Sequence, residues 1–336
     1  ASRWPKRSIQ NQRCRKKIST RTISGRSALR TKGMKLLHLT DTHLGIRRSY
    51  EGAHAGWTRA HDHAAAMEHA LAPALRGEVD AVIHSGDVFD RSRPPQSAIA
   101  TADRLLRAVA RRVPTFVIPG NHDRNGVCRT LPIGAPGLTV CDRPTRVVIG
   151  GVAIGLVPYR RTPSAWVHAA EQAVGIGTDW LVAHQGFDGQ AVPGLTFRIG
   201  KPADTLGAQH IPRRVSHVLC GHIHPRQAVQ LDGCTVVTPG STERTSWSEA
   251  NQTKGYAIWD SDKSRPWQFI DLPSRPMVVV RSQADLYRIE PGSLVRCPLA
   301  FRQDALARGG LLTWPRVSHQ RLAHQSSPQL SLLKAS

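Results

Sequence analysis

Nowhere in the 336 residues do apolar side chains run uninterrupted for as many as 18 positions, which excludes a bilayer-spanning helix. A short apolar stretch with a small-residue cleavage site is also missing behind the basic start, so no secretory signal is visible in these residues. Closely spaced cysteines are absent. The six, Cys14, Cys128, Cys141, Cys220, Cys234 and Cys297, are scattered, so neither a zinc knuckle nor a disulfide framework fits their spacing. They read as reduced thiols, with Cys220 and Cys234 buried in or beside apolar strand-like runs. No internal repeat stands out. These absences leave a cytoplasmic protein with no membrane association as the expectation.

Acidic residues are absent from residues 1–33, which hold eleven Lys and Arg. The net charge of +22 is concentrated there and at the other end: residues 34–274 set 26 basic against 21 acidic side chains, and 275–336 set nine against three. The middle of the chain is close to ordinary, so overall charge is a weak argument for nucleic-acid binding. Residues 1–33, rich in Arg, Lys, Ser and Thr and without hydrophobic period, read as a disordered basic extension or leader ahead of Met34. Such a leader also resembles an organellar transit peptide, which would make the protein organellar; a basic arm that grips phosphates is the third reading.

A content of 40% hydrophobic and 21% charged residues is that of a globular chain with one large domain and an appendage. After Met34, short apolar runs alternate with helical stretches, the pattern of a layered α/β domain. Strands are expected at 35–40, 81–85, 115–119, 147–149, 152–157, 180–183 and 215–220, and helices at 58–76 and 97–111. Gly150-Gly151 and Asp232-Gly233 are two-residue hairpin signals; the latter joins 228–231 to 234–238, and 256–259 and 269–272 continue as strands. The domain is expected to span 34–272. Residues 273–297, with a strand-like 277–280, would begin a cap region, and 298–336, rich in Gln, Ser and Arg, a poorly ordered tail.

Ligand-type residues fall directly behind the strands. The groups are Asp41-Thr42-His43, Gly86-Asp87 with Asp90, Gly120-Asn121-His122-Asp123, His184, and Gly221-His222-Ile223-His224. In a layered sheet, loops behind successive strands converge at the carboxyl edge. Carboxylates, imidazoles and an asparagine carbonyl form a mixed hard and borderline set suited to Mn, Fe, Zn or Mg rather than to thiolate-bound zinc. An Asp-x-His pair on extended backbone aims both side chains one way, and a Gly-Asp turn lets a carboxylate approach two cations. Each fragment alone is a turn or a surface pair; five in this order, all behind strands, are not. His61, His63 and His69 on a helix, and His54, His168, His210 and His217, lack that context and read as structural or solvated.

This set resembles the signature of the calcineurin-like metallophosphoesterase superfamily over about residues 34–272. The runs Leu39 to Gly45, Gly86 to Asp90 and Pro239 to Thr245 look most like the SbcD-type DNA repair exonucleases within it. The resemblance implies an α/β fold, a layered β-sandwich flanked by helices, with a short C-terminal appendage. It implies two divalent metal ions, with Mn as the working ion. One would sit on Asp41, His43, Asp87 and His224, the other on Asp87, Asn121, His184 and His222. His122 would be the catalytic histidine, with Asp123 orienting its ring. The two cations would lower the pKa of a shared water for attack on phosphorus, with His122 assisting the leaving group.

DNA is the implied substrate, which would make the protein nucleoid-associated, with an SbcC-like SMC-family ATPase as partner and a homodimer left open. Sequence-neutral phosphate contacts are expected from Arg47, Arg48, Arg91, Arg93, Arg124 and Arg244, which follow the metal motifs closely. Two other readings stand beside this one. The first is a phosphoesterase for cyclic nucleotides, nucleotides or phosphoproteins; the second is a silent scaffold, which predicts missing ligands where none is missing.

Overall fold

The protein was analysed as a computed structural model, which describes residues 33–53, 57–123, 131, 135–175, 177–192 and 205–313. The expected leader, His54, Arg124 and everything after residue 313 lie outside the described residues.

Two six-stranded sheets carry the domain. The first has the spatial order Trp267–Leu272, Lys254–Asp260, Lys35–Leu39, Ala81–His84, Thr115–Val117, Leu138–Val140. Its last four strands are parallel, and Lys254–Asp260 joins antiparallel. The second has the order Gln227–Leu231, Cys234–Thr238, His217–Gly221, Thr178–His184, Val152–Val157, Thr145–Ile149. Both glycine-marked hairpins form where the turn residues place them.

Alternation sorts the side chains into layers. In the first sheet Leu37, Leu39 and Val82 point to one face, while Leu36, Ala81 and Ile83 point to the other. The second group meets Trp180, Val182, Leu219, Val237 and Trp259 in a core between the sheets. Helices α1 (Arg59–Leu75) and α2 (Gln96–Ala110) cover the outer face of the first sheet. Ala98, Ala102, Leu105, Leu106 and Val109 form the buried stripe of α2 at helical spacing. Helix α3 (Pro163–Ala173), started by Thr162 and a proline in the first turn, packs Trp166, Ala169 and Ala173 on the second sheet. The architecture is the expected β-sandwich flanked by helices. Each large apolar side chain buried in these layers contributes about 1.5–3 kcal/mol.

Regular structure continues beyond the boundary expected at 298. Leu299–Phe301 is a 3-10 turn, α4 spans Arg302–Ala307, and Leu311–Thr313 is a strand. A third sheet has the order Met277–Val279, Leu294–Arg296, Leu311–Thr313, Tyr50–Glu51. Its fourth strand therefore comes from the loop behind the first metal motif. Met277–Val279 falls within the strand-like 277–280; the other three strands are two or three residues long, too short for periodicity to announce them. One small core, Val278, Val280, Leu286, Ile289, Val295, Ala305 and Leu312, lies on one side, and a second, Tyr50, Trp57, Leu294 and Leu311, joins the sheet to the segment ahead of α1.

Polar contacts fasten this sheet to the main domain. Arg275 donates to both oxygens of Asp62 on α1, at 2.9 and 2.8 Å, and its guanidinium lies 4.6 Å from the Trp57 ring centroid. Within the unit, Arg302 at the start of α4 pairs with Glu51 of the fourth strand. Burial alone would raise the Asp62 pKa, but its bonds to Arg275 and Arg59 outweigh that and hold it below the ordinary range.

Candidate metal centre and active site

Both sheets deliver their ligand residues to one edge. Asp41, Asp87 and Asn121 follow strands of the first sheet, and His184 and His222 end or follow strands of the second. Thus all five motifs meet across the top of the sandwich, as their positions behind strands require.

The convergence is not produced by strand alternation. Asp41, His43, Asp87 and His222 all adopt left-handed backbone, with φ of 51°, 43°, 53° and 82°. The expectation that Asp-x-His lies on extended chain is therefore corrected: tight loops turn each side chain inward, and the His222-x-His224 pair shares that geometry at its first member. Non-glycine residues in this region are strained by about 1–3 kcal/mol each, a cost that surrounding bonds must offset. Those bonds are visible. Asp41 N donates to Gly86 O at 3.0 Å and His43 N to Asp87 O at 3.1 Å, knitting the first two motifs together. Close approach also demands small residues. A Cβ on Gly86 would lie 2.3 Å from His184 Nδ1, one on Gly120 2.1 Å from Asp87 Oδ1, and one on Gly221 2.2 Å from Thr40 Oγ1.

Two half-sites result. In the first, Asp41, His43 and His224 offer ligand atoms within 4.8 Å of one another. His43 Nε2 lies 3.1 Å from His224 Nε2 and 3.8 Å from Asp41 Oδ1, which is buried without a hydrogen-bond partner among the described residues. In the second, Asp87, His184 and His222 converge in the same way. Asn121 Oδ1 faces both His184 Nε2 at 3.1 Å and His222 Nδ1 at 2.8 Å. Asp87 belongs to both: its Oδ2 is 3.2 Å from His184 Nε2 and 3.9 Å from His43 Nε2.

Two imidazole nitrogens facing each other beside an unpartnered carboxylate oxygen repel unless something positive lies between them. The donor set thus fits a pair of divalent cations with Asp87 shared. Burial lowers His222 to about 3, the neutral form a ligand needs, and pushes His43 well down too. Burial likewise opposes charge on His184, yet the neighbouring Asp87 raises it to about 9. The same attraction would hold a cation in place of that proton. On Asp41 burial dominates and raises the pKa; on Asp87 burial also opposes charge, but the charge and hydrogen bond of His184 together with the charges of His43 and His122 outweigh it and hold the carboxylate well below its usual range.

His122 stands beside the half-sites, its ring 5.0 Å from that of His43 and perpendicular to it. The ring is oriented by the Asp90 carbonyl, 2.6 Å from Nδ1, which turns Nε2 away from that contact. Asp123 does not orient it, and that expectation is corrected. Its buried carboxylate instead accepts from the backbone N–H groups of Val88, Phe89 and Gly120 at 3.0–3.2 Å, clamping the second and third motifs to each other. Burial and the Asp87 charge raise Asp123 to about 6.

A cleft of about 370 Å³ opens in front of these residues, lined by His43, His122 and His224 together with Arg47, Arg48 and Arg91. Arg47 reaches Ser97 Oγ at 3.0 Å and Arg91 reaches Asp90 at 3.3 Å. Arg93 is exposed outside that lining. Arg244 departs from its expected place. Its guanidinium donates to the backbone carbonyls of Gln252 and Arg275 at 3.1 and 2.9 Å, so it braces the chain behind the site. A half-buried arginine sheds its hydration only where carbonyls replace it, and here they lie on the inner side.

Several contributors carried no motif. His63 on α1 is buried with Nδ1 3.0 Å from Thr42 O, supporting the first loop from below, and His84 lies 3.0 Å from Thr42 Oγ1. Glu249 and Lys254, both buried, stand behind His224. A lysine opening a strand whose next five residues are glycine and apolar side chains was the one available hint, since a buried ammonium requires a carboxylate nearby.

The calcineurin-like phosphoesterase family model matches residues 34–226. Curated relatives include the DNA double-strand break repair protein Mre11 of Thermoplasma acidophilum, 30% identical over 75% of this chain and 69% of its own length. The protein of the same name from Haloferax volcanii is 31% identical over 71% of this chain and 54% of that one. For that of Methanosarcina mazei the figures are 28%, 75% and 40%. The chain thus spans between two fifths and about two thirds of the length of these relatives.

Proposed function

The chain belongs to the calcineurin-like phosphoesterase family and is a metal-dependent phosphoesterase; from that premise we propose that it hydrolyses phosphodiester bonds of DNA, as an SbcD-type nuclease acting in DNA repair. The observation that carries the reading is the cleft in which two of the ligand side chains, His43 and His224, face one space with His122 and three arginines. Mn is the proposed ion at both half-sites, held by Asp41, His43, His224 and Asp87 on one side and by Asp87, Asn121, His184 and His222 on the other. When bound, such ions supply an activated water and neutralise charge growing on the phosphoryl oxygens.

The chain's own residues do the rest. His122, held through Nδ1 by the Asp90 carbonyl, presents Nε2 to the departing sugar oxygen and hands it a proton. Arg47, Arg48 and Arg91 hold flanking phosphates electrostatically, without reading bases. Exposed Arg93 is proposed to add a further phosphate contact, and Arg124, which lies outside the described residues, is proposed for the same role from its place in the sequence, while Arg244 acts through the fold alone. Similarity to the Mre11 proteins supports DNA over small phosphate esters as substrate. An SMC-like ATPase is the proposed partner, and the cytoplasm, at the nucleoid, the proposed location.

The test is the full chain with Mn, beside His122→Ala, on labelled linear DNA and on bis-para-nitrophenyl phosphate. Both substrates should be cleaved by the wild type. The variant should lose about 100- to 10,000-fold on DNA, and less on the small diester, whose leaving group needs little protonation. Cleavage of the small diester with intact DNA would replace this reading by that of a nucleotide or phosphoprotein esterase.

A further inference from the structure

The two half-sites differ in what stands behind their histidines. At the second, His184 Nδ1 lies 2.7 Å from the Ser85 carbonyl, a neutral acceptor, and His222 turns its Nδ1 inward to Asn121. At the first, His43 Nδ1 is buried with no partner among the described residues, whereas His224 Nδ1 lies 3.1 Å from Glu249 Oε1, an anionic acceptor, and 3.1 Å from the Thr245 hydroxyl that itself donates to that carboxylate. Glu249 is outside all five motifs, on the 3-10 turn Trp247–Glu249. Its side chain is 2% exposed. Every other contact it makes comes from a donor. Thr245 Oγ1 donates at 2.6 Å, the Thr245 N–H at 3.2 Å, Ser246 Oγ at 3.1 Å and Lys254 Nζ at 2.6 Å. Lys254 is itself fully buried and tied further to Ser241 Oγ at 2.8 Å and Gln252 Oε1 at 3.1 Å.

We propose that Glu249, held by Lys254 and Thr245, is a positioning residue for the first half-site, making Asp41, His43 and His224 the tighter of the two cation sites. The proposal rests on the reading that the site takes two divalent ions. Its physical basis is a fixed carboxylate on Nδ1. That contact places the ring proton there, leaves the Nε2 lone pair free toward Asp41 and His43, and makes Nε2 a stronger donor to a cation. A carbonyl fixes the tautomer but adds no full charge. Lys254 keeps the carboxylate ionised inside the protein and stops it from swinging into the site as a ligand.

The probe is Mn alone, titrated into the full, metal-stripped chain by calorimetry with free Mn followed by electron paramagnetic resonance. Two steps of different affinity are expected in the wild type. Glu249→Gln, which keeps an acceptor and removes the charge, should weaken the tight step about tenfold; Glu249→Ala should weaken it up to about 100-fold. In both, the weak step should move less than about twofold. Because an unpaired buried lysine can itself unfold the chain, Glu249→Gln with Lys254→Met provides a second variant, and it should weaken the tight step as Glu249→Gln does. Equal weakening of both steps, or an unchanged tight step in a variant that melts like the wild type, overturns the proposal. A wild type that binds fewer than two ions overturns the two-ion reading instead, and that failure is seen before any variant is made.

Discussion

The edge around Asp87 and the small sheet closed by Leu311–Thr313 are both built from short pieces of chain, but they are held by opposite means. At the edge, strained loops and ligand side chains are pressed together by the two large sheets behind them, with four ligands at positive φ. The small sheet has strands of two or three residues, two small apolar clusters, and the Arg275–Asp62 salt bridge as its polar fastening to α1. The edge draws its rigidity from the rest of the fold and uses it for chemistry, whereas the small sheet is attached through one small apolar cluster around Trp57 and the Arg275–Asp62 bridge. Changes at the first should remove activity and spare the fold; changes at the second should do the reverse.

The largest effect is expected from Asp87→Asn. Asp87 serves both half-sites and its Oδ1 also accepts the His122 N–H at 2.8 Å. Turnover should fall by about a thousandfold or more and Mn uptake should drop at both sites, while the thermal midpoint stays near that of the wild type or rises as charge repulsion is relieved. A large fall in the midpoint would break the contrast. Next comes Arg275→Ala, which should cost about 1.5–3 kcal/mol in denaturant titration and leave Mn binding unchanged. Loss of Mn binding there would mean that the small sheet organises the site.

Acid sharpens the same contrast. The Asp62 carboxylate is held below its unfolded pKa, so its contribution to the fastening is fully present above about pH 4 and is lost as the pH falls through the lower folded value. Hydrogen exchange of 277–313 should therefore accelerate below about pH 4 in the wild type, and Arg275→Ala should abolish that dependence. The smallest effect concerns the thiols. Burial pushes Cys141, Cys220 and Cys234 up to about 12, so iodoacetamide at pH 8 should leave them unmodified until the chain is unfolded.

The same comparison explains what could be read from the residues alone. The sandwich was legible because short apolar runs such as Leu36 to Leu39 and Ala81 to Ile83 alternate with helical stretches, and the ligands were legible because each group follows such a run. The inward turn of Asp41 and His43 was not, since it depends on bonds to Gly86 and Asp87 that exist only after two distant loops meet. Asp123 was misassigned for a related reason: adjacency to His122 suggested ring contact, but its carboxylate is captured by three backbone N–H groups. The small sheet was hidden because Tyr50–Glu51 completes it from more than 200 residues away. Glu249 was hidden because its partner, His224, lies 25 positions earlier.

The central claim is that Asp41, His43, Asp87, Asn121, His184, His222 and His224 form one cradle for a coupled pair of cations. Low-temperature electron paramagnetic resonance of the full chain loaded with Mn tests it most directly. Two ions per chain with the spectrum of an exchange-coupled pair, reduced to uncoupled Mn in Asp87→Asn, is the expected result; one ion, or two that behave independently in the wild type, would contradict the account.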